Sequence, residues 1–327
     1  MKKRLFCLFI LVAAAASQAA PSDIAITEGA GNPVLLQTSV GAGRYYYAHV
    51  LYDPFAGKYR AWADASSSND ITYAESTGDN PAAWSGYTLC TGTLGPRGKA
   101  HVVQLGANSF RMWHTGDDGT PGYEVHTFTG SNGIDWSNAT PITGVADTGD
   151  SIPTADGPFE HFCPAGNGAG FVCLANTREG SAEQTGRELN WYSSADGITW
   201  TFEHGTGILG YDVSTLVRHP DRANTWYAYG YQQGGEDFIV SLYSTDNGAT
   251  WQMDQEPVPV IGVAGEFPYN PNRNYNPQAI YRGSGNWVFF RTTSDSSASP
   301  AHRTSYSTGI ESGLTFSSIE NWMLMER

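Results

Sequence analysis

Short runs of apolar residues, separated by polar turn-forming residues, recur along most of this 327-residue chain. The runs are rich in Tyr, Trp, Phe and Val, and the segments between them are rich in Gly, Pro, Asn and Asp. Within residues 58–62, for example, Tyr59 and Ala61 alternate with Lys58 and Arg60. Because aromatic and β-branched residues favour strands, the pattern predicts many short antiparallel strands and few helices.

A polar tag that ends in an aromatic residue recurs five times. Each tag is rich in Ser, Asp, Asn and Gly, which suits a tight hairpin because Gly accepts positive φ and Asx side chains bond the turn backbone. We expect the closing aromatic residue to bury its apolar face in the sheet. The tags occupy residues 76–84, 131–136, 194–200, 244–251 and 307–316.

The spacing of the tags, roughly 50 to 65 residues, predicts a β-propeller with one tag in each blade. Every tag follows the same plan of an inner strand, a turn, a second strand and a third strand. The predicted fold class is therefore all-β, a five-bladed β-propeller that forms one domain over residues 20–327. We expect residues 21–40 to supply a strand that helps to close the last blade.

Residues 1–19 have the pattern of a secretory signal peptide. Lys2, Lys3 and Arg4 form a basic start, an apolar core follows, and small residues surround the expected cleavage site. We therefore expect an exported protein, extracellular or periplasmic. We also expect a monomer. Loss of the three basic residues would change the net charge from −14 to −17. This acidity disfavours binding to nucleic acid or to anionic membranes.

Three cysteines remain after the predicted signal peptide. Cys163 and Cys173 flank a Gly-rich turn, so a disulfide across that hairpin is one possibility and two free thiols are the other. Cys90 is then expected to be a buried, unpaired thiol. The cysteine spacing does not match a zinc site.

Two tags, at 194–200 and 244–251, resemble the Asp-box of sialidases, so we expect a mainly structural role for them. The segments 51–62 and 71–76 resemble the first blade of the five-bladed glycoside hydrolases of families 32, 43 and 68. This resemblance implies a carbohydrate substrate and catalysis by inner-strand carboxylates, one as base or nucleophile and one as acid. Sialidase chemistry itself is disfavoured, because an N-terminal Arg-Ile-Pro motif is absent and sialidases have one blade more.

Alignment of the inner strands predicts equivalent positions for His49, His101 and His161, with Gln278 as the counterpart in blade five. The resembled hydrolases carry acids at this depth, so these histidines are candidates to position sugar hydroxyls or to act as an unusual acid. Three neutral imidazoles would also suit zinc, manganese or iron, and the cofactor considered is a divalent metal, zinc, manganese or calcium. A metal-assisted polysaccharide lyase, with Lys99 beside the site, is therefore an alternative to a hydrolase.

The acids placed best for hydrolysis are Asp156, Glu160 and Asp212. Asp156 belongs to an Asp-Gly-Pro sequence that resembles the Glu-Gly-Pro of the general acid in family 43. The sequence therefore predicts a secreted glycoside hydrolase-like enzyme, and the third alternative is a non-catalytic carbohydrate-binding propeller. The predicted substrate-binding residues are Tyr45, Lys99, Trp113, Tyr211, Arg273 and Gln278.

Overall fold

The computed structural model describes residues 20–36, 45–65, 70–92, 99–116, 124–145, 151–152, 159–177, 188–232, 238–261, 273–294 and 302–312. The predicted signal peptide therefore lies outside the described residues. Within them, the helical structure is limited to the 3-10 turn Pro21–Asp23. None of the helical structure in those ranges is long and apolar enough to cross a membrane.

The described chain begins with two strands that belong to the last blade. These are β1 (Ile24–Glu28) and β2 (Leu35–Leu36), and both pair antiparallel with the final strand, His302–Glu311. The pairing of Ile24 with Glu311 joins the N-terminal segment to the end of the described chain. The predicted closure of the last blade is therefore confirmed.

The next three sheets are the first three blades, in chain order. Blade one contains β3 (Tyr45–Asp53), β4 (Lys58–Ala65), β5 (Asp70–Glu75) and β6 (Thr88–Leu89). Blade two contains β7 (Ala100–Gly106), β8 (Ser109–Gly116), β9 (Glu124–Gly130) and β10 (Trp136–Pro141). Blade three has β11 (Thr143–Val145) and β12 (Ser151–Ile152) at its outer edge, and otherwise contains β13 (Phe159–Gly166), β14 (Phe171–Thr177), β15 (Glu188–Ser194) and β16 (Thr199–Leu209).

Two further sheets complete the propeller. Blade four contains β17 (Tyr211–Arg218), β18 (Trp226–Gln232), β19 (Ile239–Ser244) and β20 (Gln252–Gln255). Blade five contains β21 (Arg273–Gly283), β22 (Asn286–Ser294) and β23 (His302–Glu311), with β1 outside β23. The predicted all-β, five-bladed propeller is confirmed.

The core of the molecule lies between the blades. Five hydrophobic clusters fill the five interfaces between neighbouring blades, and each combines buried residues from two sheets. Trp113 belongs to the cluster between blades two and three and is 1% exposed. The prediction that Trp113 binds substrate is therefore wrong, because its strand turns this ring into the interface.

The tags form tight turns that lock neighbouring blades together. In the third tag, Gly197 N–H donates to Ser194 Oγ at 2.8 Å and Ile198 N–H donates to Asp196 Oδ1 at 2.8 Å. The closing Trp200 is buried, and Trp113 Nε1 donates to the Gly197 carbonyl at 2.9 Å. This tag therefore has the expected structural role, while its identity as an Asp-box stays a prediction.

The fifth tag does not form a hairpin at its start. Residues 307–309 lie inside β23, where they pair with both β1 and β22. The hairpin prediction is wrong at this tag because the N-terminal strand takes the outer position in blade five. Phe316, its expected aromatic residue, lies outside the described residues.

Cys163 and Cys173 are free thiols, so the disulfide considered above does not form. Cys163 pairs with Leu174, and Cys173 pairs with Pro164, so the two cysteines are offset by one position across the hairpin. Because successive side chains in a strand point to opposite faces, Cys163 packs toward blade four and Cys173 toward blade two. Burial raises the pKa of both thiols. Cys90 is a buried thiol that forms no disulfide, as expected.

Candidate functional site

The five innermost strands, β3, β7, β13, β17 and β21, surround the propeller axis and contact one another in a ring. All five run in the same direction, so they define an upper end, where they begin, and a lower end, where they finish. The tags and the first turn of each blade lie at the lower end. Polar side chains near the upper end, away from the tags, are therefore candidates for binding or catalysis.

A group of polar and aromatic side chains, which we call the upper cluster, meets at the upper end of the axis. Its members come from all five blades and contact one another directly or lie opposite one another in the same sheet. The upper cluster consists of Tyr47, Lys99, Asn176, Asp212, Tyr231 and Tyr275.

Lys99 lies at the centre of this group. Its Nζ donates to Tyr231 Oη at 2.7 Å and lies 4.1 Å from the ring centroid of Tyr47. Tyr275 packs edge-on against both tyrosine rings, at centroid distances of 5.6 Å from Tyr47 and 6.2 Å from Tyr231. An ammonium held over one aromatic face and against a phenol oxygen is fixed in position. Lys99 and Tyr47 are half-buried, so ligands can reach both side chains.

Asp212 supplies a buried carboxylate to the upper cluster. It is 5% exposed and accepts a hydrogen bond from Asn176 Nδ2, a side chain that is itself fully buried. Asp212 lies opposite Tyr231 across β17 and β18, so both side chains lie on the same face of the sheet. A carboxylate and a phenol from blade four are thereby brought together with an ammonium from blade two.

The backbone at Tyr47 adopts a conformation that is rare for an aromatic residue. Its φ is 53°, in a bulge where the β3–β4 pairing shifts between Tyr46 and His49. A non-glycine residue in this region is strained and is found most often at functional sites. Asn276, in the corresponding bulge of blade five, has φ of 51°, and its Nδ2 donates to the Ala48 carbonyl at 2.9 Å. The two bulges hold each other beside the upper cluster.

Below the upper cluster, a second group of polar side chains lies closer to the middle of the axis. We call His49, His101, Ser214 and Gln278 the axial ring. The imidazole centroids of His49 and His101 are 5.3 Å apart, and Gln278 Nε2 donates to the Ser214 carbonyl at 2.9 Å. His101, Ser214 and Gln278 are all less than 5% exposed.

His49 links two inner strands through its Nε2 atom, which donates to the Val102 carbonyl at 2.9 Å. Burial lowers the pKa of His49 to about 4, although the bond to Val102 and the nearby Gln278 side chain raise it in part. The imidazole is therefore neutral at pH 7, with its hydrogen on Nε2 and an acceptor lone pair on Nδ1. Burial, together with His49 and Lys99, also lowers the pKa of His101 well below its usual value.

The Nδ1 atoms of His49 and His101 are buried and have no hydrogen-bond partner among the described residues. Such atoms are available to a ligand or a metal. However, the described part of the chain contains no group of three His, Cys, Asp or Glu residues arranged to bind a metal ion. The side chain of His161, the third predicted ligand, lies outside the described residues, so the metal site stays a prediction.

The inner strands align differently from the predicted register in blade three. The first hairpin of each blade closes on an equivalent pair, such as Tyr52 with Tyr59 and Gly166 with Phe171. Counting back three residues from these pairs reaches a common level on each inner strand, occupied by His49, His101, Cys163, Thr215 and Gln278.

His161 therefore lies two residues nearer the upper end than His49 and His101, and it pairs with Asn176. The predicted equivalence of the three histidines is wrong for His161. The reason is physical, since five residues separate His161 from the hairpin pair at Gly166, whereas three separate His49 from the pair at Tyr52, and the hairpin position that sets this count is not marked in a single sequence.

The other predicted residues have different outcomes. Tyr211 packs at the interface of blades three and four, and its hydroxyl donates to Glu256, so its ring does not face the axis. Burial and Glu256 raise the pKa of Tyr211 to about 12. Asp156 and the side chains of Tyr45, Glu160 and Arg273 lie outside the described residues.

Sequence analysis missed several residues at the upper end. Tyr231 and Asn176 lie on second strands, whereas the predicted site residues lie mainly on inner strands. Asp64, on β4, is 6% exposed and pairs with Tyr46, so it adds a second buried carboxylate near the start of β3. One signal was available: these three residues all come near the end of a second strand, where the chain returns to the upper end.

Comparisons with known proteins agree with the fold. No family model and no curated protein sequence matches the chain. Among solved structures, it is similar to a GH62 α-L-arabinofuranosidase catalytic domain from Coprinopsis cinerea, with 11% identity, a TM-score of 0.61 and coverage of 88% of this chain and 98% of that one.

It is also similar to an N-acetylgalactosamine deacetylase from F. plautii in complex with blood group B trisaccharide, with 14% identity, a TM-score of 0.60 and coverage of 88% and 95%. A third similar structure is the GH43 protein BlXynB from Bacillus licheniformis, with 13% identity, a TM-score of 0.55 and coverage of 86% of this chain and 54% of that one. At these identities the likeness shows the fold alone.

Proposed function

We propose that this protein is a secreted carbohydrate-active enzyme that cleaves an extracellular oligo- or polysaccharide at the upper end of the propeller axis, most closely in the manner of a glycoside hydrolase. The observation that carries the proposal is the upper cluster, in which side chains from all five blades meet and which includes the buried carboxylate of Asp212. Similar folds that include an arabinofuranosidase and a GH43 protein support a carbohydrate substrate. Export rests on the signal-peptide pattern of residues 1–19.

Hydrolysis of a glycosidic bond needs two carboxyl groups, one as base or nucleophile and one as acid. We assign the first role to Asp212, whose carboxylate is held in place by Asn176. The second carboxyl group comes from Asp64, Glu160 or Asp156. The acid protonates the departing sugar oxygen while water, directly or through a covalent intermediate, adds to the anomeric carbon.

The remaining members of the upper cluster bind and orient the sugar. The half-buried ring of Tyr47 offers an apolar face for stacking on a sugar ring. Lys99 Nζ donates to Tyr231 Oη, and both the ammonium and the phenol are groups that bond sugar hydroxyls. Because these donors are fixed by contacts between blades, they need little reorganisation during the reaction.

The test is a hydrolysis assay on a panel of plant, fungal and bacterial polysaccharides, with new reducing ends as the readout. We expect at least one substrate to be cleaved, and we expect Asp212→Asn to lower kcat by about 1000-fold because it removes the charge while keeping the shape. The matched control is Asp246→Asn, in the fourth tag at the lower end, where Asp246 accepts from Thr250 N–H at 2.9 Å. That variant should keep full activity.

Three outcomes separate the alternatives. Product formation with a fully active Asp212→Asn variant would contradict the assigned role of Asp212. Sugar binding without any product across the panel would indicate the carbohydrate-binding propeller. Uronate-containing products with a new double bond, detected by their ultraviolet absorbance, would indicate the lyase.

The adjacent imidazoles of His49 and His101, both with an unpartnered Nδ1 atom, favour metal-assisted cleavage as a second candidate function. These two groups would be ligands, and His161 or Gln278 would complete the site. A metal bound there would neutralise a substrate carboxylate or activate water. Metal analysis of the purified protein tests this candidate, because full activity in a metal-free preparation would exclude it.

A further inference from the structure

The N-terminal segment of the described chain is anchored to blades four and five at the lower end of the propeller. Strand β1 pairs with β23 of blade five, and the 3-10 turn before it packs against β19 and β20 of blade four. Ser22 N–H and Ser22 Oγ donate to the Asp254 carboxylate at 2.7 and 2.9 Å. The backbone of Asp23 is also held, because Ser312 N–H donates to its carbonyl at 2.9 Å. Contacts on both blades therefore fix the position of this segment.

A buried carboxylate lies directly beside the N-terminal segment. Glu311, the last residue of β23, pairs with Ile24 at the start of β1, and its side chain is fully buried. Its two oxygens accept from four donors at 2.8 to 3.1 Å: His219 Nε2, Arg222 Nη2, Tyr227 Oη and Trp287 Nε1. His219 adds no charge, because the Asp221 N–H donates to its Nδ1 atom and leaves the Nε2 hydrogen for Glu311. Arg222 therefore provides the positive charge beside this carboxylate.

Charged groups of alternating sign lead from Glu311 back to the N-terminal segment. Arg222 Nη2 lies 2.8 Å from Glu311 Oε1 and 3.8 Å from Asp23 Oδ2. The same oxygen of Asp23 accepts from the Ala20 N–H at 3.4 Å. With Asp254, three carboxylates lie near one guanidinium in this part of the described chain. The excess of negative charge favours a further cation at the position of the Ala20 nitrogen.

We propose that the protein itself supplies this cation when residues 1–19 are removed. In the precursor, the Ala20 nitrogen belongs to the peptide bond with Ala19, so it is uncharged. A signal-peptide protease of the export machinery hydrolyses that bond with water, which leaves a carboxylate on Ala19 and an α-ammonium on Ala20 that is charged at pH 7. The ammonium pairs with Asp23, so removal of the signal peptide strengthens the closure of the last blade against blade four.

This inference rests on the export that we propose above, and it is independent of the sugar chemistry. Processing is measured separately by expressing residues 1–327 in a bacterial host and determining the intact mass of the exported protein. We expect the mass of residues 20–327. Retention of residues 1–19 in the exported protein, or cleavage at another bond, would overturn the assignment of the ammonium to Ala20 and would leave the proposed activity untouched.

The ion pair is tested by comparing residues 20–327 with a free and with an acetylated N-terminus. Acetylation replaces the ammonium by an amide N–H, as in the precursor, and changes no residue. Because the side chain of Asp23 is 37% exposed, the pair is partly screened by water. We expect acetylation to raise the equilibrium constant for unfolding, measured in urea at pH 7 and low salt, about threefold to fivefold.

Two variants show whether this effect comes from Asp23. Asp23→Asn removes the partner charge and keeps the side-chain size, so acetylation should then change the unfolding constant by less than about 1.5-fold. Asp254→Asn is the matched control, because Asp254 bonds to Ser22 in the same segment. In that variant acetylation should keep its full effect. Equal effects of acetylation in the wild type and in Asp23→Asn, or no effect in the wild type, would overturn the proposal.

Discussion

The two ends of the propeller axis use their polar groups in different ways. At the lower end, side chains of one blade donate to backbone carbonyls in the tag of the next, as Trp62 Nε1 does to Gly133 at 2.7 Å. At the upper end, side chains bond to each other, as Lys99 does to Tyr231 at 2.7 Å.

This difference separates stability from chemistry. A bond from an indole to a backbone carbonyl contains no titratable group, so it can only fix the packing of two blades. A bond between an ammonium and a phenol, beside a buried carboxylate, holds three titratable groups in one place. We therefore expect changes at the upper end to alter activity, and changes at the lower end to alter stability.

After Asp212, the largest expected effect comes from Lys99. Lys99→Met removes the ammonium but keeps most of the side-chain length, so we expect kcat/KM to fall about 100-fold with little change in the thermal midpoint. The matched variant is Lys58→Met near the lower end, where Lys58 Nζ lies 2.9 Å from Glu75 in a partly exposed ion pair. It should keep full activity, because exposed ion pairs contribute little. Similar activity losses in both variants would contradict the assignment of activity to the upper end and of stability to the lower end.

The next effect concerns a glycine of the third tag. Gly197 has φ of 72°, and a Cβ atom there would lie 2.8 Å from the Trp113 ring and 2.5 Å from an Arg111 nitrogen. Gly57, in the first turn of blade one, has φ of 64° and no atom within 4 Å of such a Cβ. Both alanine variants are strained in the backbone, so their difference isolates the contact between blades.

We expect Gly197→Ala to lower the free energy of unfolding by about 2 kcal/mol more than Gly57→Ala, because overpacking adds to the shared backbone strain. Urea unfolding followed by tryptophan fluorescence measures both. Activity at low temperature should stay normal in each variant. An equal loss of stability would show that the tag does not lock blades two and three together.

The fold was predictable because its signals are local. The tags and the aromatic strands, such as residues 58–62, repeat often enough for the blades to be counted. In the structure, Trp62 of this strand packs against Gly133 in the tag of the next blade. The structural role of the third tag also follows from local chemistry, since Ser194 and Asp196 bond the turn that they belong to.

The candidate site was less predictable because it depends on register. His161 lies five residues before the hairpin pair at Gly166, whereas His49 lies three residues before the equivalent pair at Tyr52, so the two histidines lie at different levels, and a single sequence does not mark this difference. Tyr231 and Asn176 reach the upper cluster from second strands, which only the pairing with the inner strands reveals. Segments that are distant in the sequence meet only in the assembled blades, so the sequence alone does not show which of their side chains come together.

His49 lies between the two ends, so it tests the division between side chains that support activity at the upper end and side chains that support stability at the lower end. As at the lower end, the side chain of His49 donates to a backbone carbonyl, but its imidazole is a titratable group. Burial lowers its pKa from 6.5 to about 4, so between these values the unfolded chain binds a proton that the folded protein does not. Stability is therefore lost as the pH falls from 6.5 to 4, and this contribution is constant below pH 4.

His49→Gln keeps a donor for the Val102 carbonyl and removes the titration. Because His49 is only half-buried, we expect the wild-type protein to lose about 1 kcal/mol more than the variant between pH 6.5 and pH 4.5, measured by urea unfolding at both values. His204→Gln is the control, since His204 is also half-buried and its Nε2 lies 2.9 Å from the Gly248 carbonyl. It should lose stability on acidification as the wild type does. If His49→Gln instead removed activity at pH 7 without changing the acid response, His49 would belong with the upper cluster rather than with the framework.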